Sequence, residues 1–442
     1  MFRRRWSGLP ADPVFGSNLK DLGYFINDED EIRNIDEPNA YFKYFLSKNT
    51  RVNDRQRFHF NGKFRPYFQP WRTISNLKTG AIRDIVHGRL KKEGLKKVPL
   101  PLGTPATSPH VPIFFGDNLH KASRVVVIFG EPNQDLGNLA LRVVNGPGGI
   151  NKGSMVSVVQ ELKRQAASAG DPSPPGIIIT NPGELWWWPE GKKPLGPVSE
   201  NAVPMKSMVH YGRAHIPKLN SVPKNETPIA HVRHLLDDVL KEIVPEAARI
   251  DIIAIGLSAD NVTRALDNPQ TWDRLGPRIN TLSLLGSSTN VNELSHTPFK
   301  EFLPRRARAY IADEAVAMTP LAKAGGNDHN ASFTQQGCPV FASGEVYYIE
   351  LMLVNNQLPI LNWLQQVALA GLDYHHPEIT PVDPHVPTDE EWAAITSAFD
   401  AAWEAMPDFA KPSLGYAEIK EVEEQRNALE DLQLYAAEQA EK

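Results

Sequence analysis

Ile255-Gly256-Leu257-Ser258-Ala259-Asp260 is the string in this sequence that holds the most chemistry. A buried apolar run, a tight turn carrying a serine and a helical pattern are the parts of a nucleophile elbow, which lifts a hydroxyl above a sheet edge. Ser258 is therefore the candidate nucleophile. The form is G-x-S-x-D, so Asp260 stands where an elbow usually carries a second small residue. A serine attacks only if a base takes its proton, and the base needs an acid to orient it. Asp313, directly after the apolar run 307–312, is in the acid's place. The histidine should follow the last apolar run, 339–342, but the chain continues there as Ser343-Gly344-Glu345-Val346. His329 comes before that run and His210 lies far upstream, so the triad reads as broken. An esterase-like hydrolase using Ser258, Asp313 and one of these histidines is the alternative to a chain without catalysis.

Other strings have weaker chemistry. The loop after the run 124–129 offers Gly130, Glu131 and Asn133 as backbone donors for an oxyanion, while Pro132 cannot donate. The Gly-rich stretch 146–154 has the order Lys-Gly-Ser rather than the Gly-Lys-Ser of a phosphate loop, and no strand precedes it. An anion resting on the helix that follows, with Lys152 nearby, is the reading left to it. Trp186-Trp187-Trp188 follows the second core strand, on the rim where open α/β sheets bind ligands, and is the candidate partner or ligand surface. Three consecutive tryptophans cannot all face one way on a strand, so at least one is expected to pack a loop onto the body. The pairs His231/His234 and His375/His376 lack a convergent carboxylate, so no metal is expected, and no cofactor motif is present.

These residues need a scaffold, and the chain supplies one. The 442 residues are 41% hydrophobic and 22% charged, enough for a large core. Apolar runs at 124–129, 177–180, 250–255, 281–285, 307–312 and 339–342 alternate with helical patterns, the signature of a doubly wound, mostly parallel sheet. Ser154 and Thr227-Pro228 are helix starts. The apolar stretch 346–372 is interrupted by Asn355-Asn356-Gln357 and Pro359 and reads as two buried helices rather than a membrane span. Three regions follow: an aromatic-rich N-terminal extension to about 100, an α/β core over 101–372, and a Pro/His-rich bridge with an acidic helical tail over 373–442. Residues 62–80 show neither helical nor strand period, and read as a surface loop or as a retained intron. A formal net charge of −5 argues against a broad nucleic-acid surface, although Arg3-Arg4-Arg5 and Arg305, Arg306 and Arg308 are local basic clusters that leave direct RNA contact open. A single cysteine, Cys338, excludes an internal disulfide and points to a reducing compartment. The arginine-rich start has no apolar run behind it and is not read as a secretory signal.

Residues 1–10, 41–46, 146–154, 184–189 and 337–341 together resemble the fungal Argonaute-binding-protein-two (Arb-two) domain family. The resemblance spans nearly the whole chain apart from 62–80 and the tail. It implies an α/β-hydrolase-like fold and a role as a protein adaptor in small-RNA-guided heterochromatin silencing. There the family accompanies Argonaute in a chaperone complex holding duplex small RNA, and a related domain is appended to some histone deacetylases. Residence in nucleus or cytoplasm is implied with it. Asp260 departs from the family's small residue after the serine and weakens any catalytic reading.

Overall fold

The computed structural model describes residues 18–41, 70–197, 215–327, 329, 333–383 and 388–405. Two compact units divide the chain, Met1–Asp383 and Pro384–Lys442. The second contains one described helix.

In the first unit, a small antiparallel hairpin, β1 (Tyr24–Ile26) and β2 (Ile32–Asn34), precedes helix α1 (Pro70–Lys92). Strands β3 (Leu95–Leu100), β4 (Val111–Gly116) and β5 (Arg124–Phe129) follow. A short helix, α2 (Gly149–Lys152), and α3 (Met155–Leu162) lead to β6 (Gly176–Ile179). A second hairpin pairs β7 (Trp186–Trp188) with β8 (Lys193–Leu195). Helix α4 (Pro228–His234) runs on through a π turn, Leu235–Val239, into Leu240–Ile243, and β9 (Arg249–Ile255) enters the sheet. Then come α5 (Leu257–Leu266), β10 (Ile279–Leu285), α6 (Thr297–Arg306), β11 (Ala307–Ile311), β12 (Pro320–Ala322), β13 (Val340–Ala342) and α7 (Ile349–Ala370).

Nine strands form one sheet in the order β12-β13-β11-β10-β9-β5-β6-β4-β3. The run from β6 through β5, β9, β10 and β11 to β13 is parallel, and β3, β4 and β12 pair antiparallel at the edges. A parallel sheet buried on both faces needs continuous apolar strands, and β5, β6, β9 and β10 supply them. Their side chains alternate between two cores. Val125, Val127 and Phe129 meet α4, α5 and α6, while Val126 and Ile128 meet α1, α3 and α7.

Local signals set the helix ends. The Ser154 hydroxyl accepts the Val156 N–H, and the Thr227 hydroxyl accepts the Ala230 N–H. The stretch expected to form two helices is a single path with a kink: Asn356 leaves helical geometry, and its side-chain amide donates to the Ser343 and Met352 carbonyls. Pro359, three residues on, removes a helical donor. Residues 70–80, which show no period in the sequence, are the start of α1, opening with proline in the first turn; 62–69 lie outside the described residues. The sheet begins at Leu95, inside the expected N-terminal extension. Among the described residues no helix is long and apolar enough to cross a membrane.

One ionic pair lies in the middle of the sheet. Arg124 on β5 donates through Nε to Asp251 on β9 at 2.6 Å, with both residues fully enclosed. Asp251 also accepts from Asn280 Nδ2 at 2.9 Å and Thr281 Oγ1 at 2.7 Å. Arg124 Nη1 reaches the Ala166 carbonyl past the end of α3, and the Gln165 and Gln365 side chains. Removing one partner strands the other charge in a medium that cannot solvate it. Asp251→Ala is expected to lose about 3–5 kcal/mol in equilibrium urea denaturation. Asp117→Ala, which breaks the exposed Lys96–Asp117 pair, is expected to lose about 1 kcal/mol or less. Equal losses would deny the central pair its role.

Candidate functional site

The chain order of the sheet reverses between β5 and β9: β6 follows β5 on one side, and β10 follows β9 on the other. The crevice above the carboxyl ends of these two strands is where open α/β sheets bind ligands. Gly130 and Glu131 enter it from β5, and Gly256 and Leu257 from β9.

Gly256 has φ 60° and ψ −134°, and α5 begins at the next residue. That is the sharp strand-to-helix turn of a nucleophile elbow. The residue at its apex is the glycine, not the serine two positions on. Ser258 lies inside the first turn of α5, fully buried, and its hydroxyl donates to the Gly130 carbonyl at 2.6 Å. It locks the helix to the β5 loop and faces no solvent. The expectation of Ser258 as an exposed nucleophile is corrected here. The G-x-S spacing is present, but the turn is in register with its glycine.

The place a nucleophile's side chain would take is filled. A Cβ built on Gly256 would overlap Glu131 Oε2. The Glu131 carboxylate accepts from Asn133 Nδ2 at 3.1 Å, and the Asn133 and Leu257 backbone N–H groups lie close enough to oppose the rise of its pKa. The N–H of the residue after the elbow apex is one of the two donors an acyl-transfer enzyme keeps for its oxyanion. Here it faces the chain's own Glu131, whose pKa it lowers. Gly130, Glu131 and Asn133, the three expected oxyanion donors, thus become an acceptor of the Ser258 hydroxyl, the occupant of the hole and a donor to that occupant. Burial dominates the titration of Glu131 and raises its pKa above the usual value near 4.5, with Glu350 adding to the rise and the hydrogen bonds opposing it.

The remaining triad candidates do not meet Ser258. The Asp313 carboxylate accepts from the Ala315 N–H at 2.8 Å, and its backbone N–H donates to the Glu345 carbonyl. His329 is exposed on the segment between β12 and β13, its backbone bonded to the Asn327 side chain. Among the described residues no histidine bonds to Ser258 or Asp313; His210 lies outside them. After β13, where a catalytic histidine would stand, the Glu345 N–H donates to the Ser343 hydroxyl. Asp260 has a structural task. Its carboxylate gathers the Ser287, Ser288 and Thr289 hydroxyls and two backbone N–H groups of the loop after β10.

The other candidates are also absorbed by the fold. Trp186 and Trp187 are 7% and 3% exposed and Trp188 is half-buried, so the first two are core rather than partner surface. Their strand alternates as a strand must. Trp187 packs on Val111 and Val222, and Trp186 and Trp188 pack with Leu195. Glu184, just ahead of them, accepts from Arg83 at 3.0 Å and from the Leu136 N–H and Asn181 Nδ2. The Gly-rich turn does bind an anion, but an internal one. Gly148 N–H donates to Glu31 Oε1 and Asn151 N–H to Asp30 Oδ2, and Arg89 forks onto the Asp30 carboxylate at 2.6 and 2.8 Å. Lys152 is exposed at the end of this turn. Arg306 bonds to the Gly371 and Leu372 carbonyls, and the Arg308 guanidinium lies 4.8 Å from the Trp363 ring centroid, so both serve the body; Arg3-Arg4-Arg5 lie outside the described residues. His231 is buried between Asn225 and the Asn181 N–H, and burial takes its pKa down to about 3.

The strand order, the turn after β9 and the flanking helices define an α/β-hydrolase-like protein with an occupied elbow. The Arb2 domain family model matches residues 15–315, and the chain belongs to that family. Solved structures similar to it include a thermostable esterase from Pseudomonas putida, 10% identical, which covers 75% of this chain and 98% of that one at a TM-score of 0.29. The peroxisomal α/β-hydrolase Lpx1 from Saccharomyces cerevisiae is also 10% identical, covering 71% and 97% at a TM-score of 0.30. No curated protein matches the chain.

Gly256 and Glu131 exclude one another's extra atoms, so their substitutions are expected to couple. Gly256→Ala should cost about 1–3 kcal/mol, from left-handed backbone strain and the displaced carboxylate. In a Glu131→Ala background the cost should fall by about 1 kcal/mol. Equal costs in both backgrounds would show that the carboxylate does not fill the elbow. The pH dependence gives a second check. With its folded pKa raised, Glu131 contributes stability that is full below its unfolded pKa and lost as pH rises through the folded one. Glu131→Gln is therefore expected to gain on the parent protein between about pH 4 and pH 8 in urea denaturation; a constant difference over that range would contradict the burial.

Proposed function

We propose that this chain is a non-catalytic α/β-hydrolase-like adaptor, working in nucleus or cytoplasm with Argonaute or other subunits of a small-RNA silencing complex. One observation carries the loss of catalysis: glycine stands at the elbow apex, and the Glu131 carboxylate occupies the nucleophile's space beside the Leu257 N–H. A carboxylate in that position repels the negative charge that an acyl-transfer intermediate develops, so restoring the hydroxyl alone would not restore the reaction. Membership of the Arb2 family supports the silencing partner, because the family resemblance implies an adaptor beside Argonaute. The adaptor reading places no demand on Ser258, which is spent on the Gly130 carbonyl.

Purified full-length protein is expected to resist labelling by a fluorophosphonate probe, with Ser258→Ala indistinguishable from the parent. Labelling that vanishes in Ser258→Ala would reinstate a serine hydrolase. Affinity capture with purified Argonaute as bait is expected to retain the chain. Failure to bind, with labelling also absent, would remove the silencing partner and leave the catalytic loss standing.

A further inference from the structure

The second compact unit contains helix α8 (Asp389–Ala405), and its sequence is sharply divided. Thr388-Asp389-Glu390-Glu391 has the spacing of a capping box, with acids in the first turn where the helix dipole favours them. The Trp392 N–H donates to the Thr388 carbonyl at 2.9 Å, as a helix start requires. Positions 392, 395, 399 and 403 then fall within one narrow stripe of a helix with 3.6 residues per turn, and they are Trp, Ile, Phe and Trp. Alanine, serine and threonine fill most of the rest.

Every side chain of α8 that the structure describes is exposed, and Trp392 is 54% exposed. Tryptophan is seldom left in water, because burying one indole removes a large apolar area at the cost of only two torsions. A spacing of three, four and four residues between large apolar side chains is the pattern of a helix that lies in a partner's groove. The charge on the helix selects the partner. Asp389, Glu390, Glu391, Asp400 and Glu404 are its charged residues, and it has no lysine or arginine. A second copy of α8 would bring like charges together across the seam.

We propose that α8 is a docking helix for another protein, entering an apolar groove rimmed by lysine and arginine, with the exposed Trp392 as its anchor. Docking through α8 does not depend on whether Ser258 is inert. Binding through it weakens as salt screens the acidic flanks.

The test uses the full-length chain with a photo-crosslinking amino acid at Thr396, an exposed position beside the stripe. The adduct formed in cells is identified, and the captured protein is purified and titrated against the unmodified chain. Trp392→Ala is expected to weaken binding about tenfold or more, while Ala394→Gln on the opposite face leaves it unchanged. Far-ultraviolet circular dichroism of each variant should match the parent, which separates lost contacts from a lost helix. The crosslink should map to an apolar groove flanked by basic residues, and affinity should fall with added salt. An adduct with this chain itself, from its own body or from a second copy, would overturn the proposal. So would the absence of any adduct, or a captured protein that binds Trp392→Ala as well as the parent.

Discussion

Arg124 and Asp251 face each other across β5 and β9, the two strands from which the sheet grows in opposite directions. A charge pair in such a place is expensive to bury and is tolerated where hydrogen bonds take up most of its remaining polar atoms, here all but Arg124 Nη2. Asp251 is saturated by Arg124, Asn280 and Thr281, so it fixes β5, β9 and β10 together. Arg124 adds the segment after α3 and the last turns of α7 through Gln165, Ala166 and Gln365. An apolar pair there would bury as well but would tolerate sliding. Directional bonds from one guanidinium to β9, the segment after α3 and α7 do not. The carboxyl ends of β5 and β9 are thereby held in one register, and Glu131 and Gly256 face each other because of it.

Among the described residues, other carboxylates of the chain also accept from its backbone. The Gly148 and Asn151 N–H groups donate to Glu31 and Asp30, and the Leu136 N–H donates to Glu184. The loop after β10 closes on Asp260. Each of these is a backbone arrangement that elsewhere holds a phosphate, an oxyanion or a substrate carboxylate. Here the anion is covalently part of the chain, so its effective concentration is fixed by the fold, and a soluble competitor must displace a tethered ligand. Sites that have the form of ligand sites become internal fastenings. They tie the N-terminal hairpin, the tryptophan hairpin and the elbow to one body.

Much of this was legible in the residues. The central strands were, because a parallel sheet buried on both faces demands unbroken apolar runs, and 124–129 and 250–255 are such runs. The caps at Ser154 and Thr227 were too, since side-chain oxygens there have one obvious use. The edge strands β3 and β12 were not: Lys96, Lys97, Pro99 and Pro320 disguise them, and edges permit what central strands forbid; Pro112 hides β4, the strand just inside β3, in the same way. The tryptophans misled for a related reason. A three-residue strand in a hairpin looks like a rim until its pairing partner, Lys193–Leu195, is in place. The acids that fill the donor sites were visible as residues. Their destinations were not, because Asp30 and Asn151 are separated by 121 positions in sequence and a single chain without its fold gives no means of joining them.

The elbow shows most clearly why spacing alone misdirects. A working nucleophile at that apex must hold a side chain at positive φ, a strain of about 1–3 kcal/mol that the surrounding structure absorbs because the reaction needs the hydroxyl there. Glycine adopts φ 60° without that strain. The turn is still required, since β9 must hand the chain to α5 within a few residues for the helix to return across the sheet. What is no longer required is anything projecting from it. Once the apex has no side chain, the space above it is left open, and Glu131 from the loop after β5 fills it. The serine two residues on is then free to bond inward to the Gly130 carbonyl. Shape and chemistry have come apart at this turn: the fold still needs its geometry, and nothing in the site needs its reactivity.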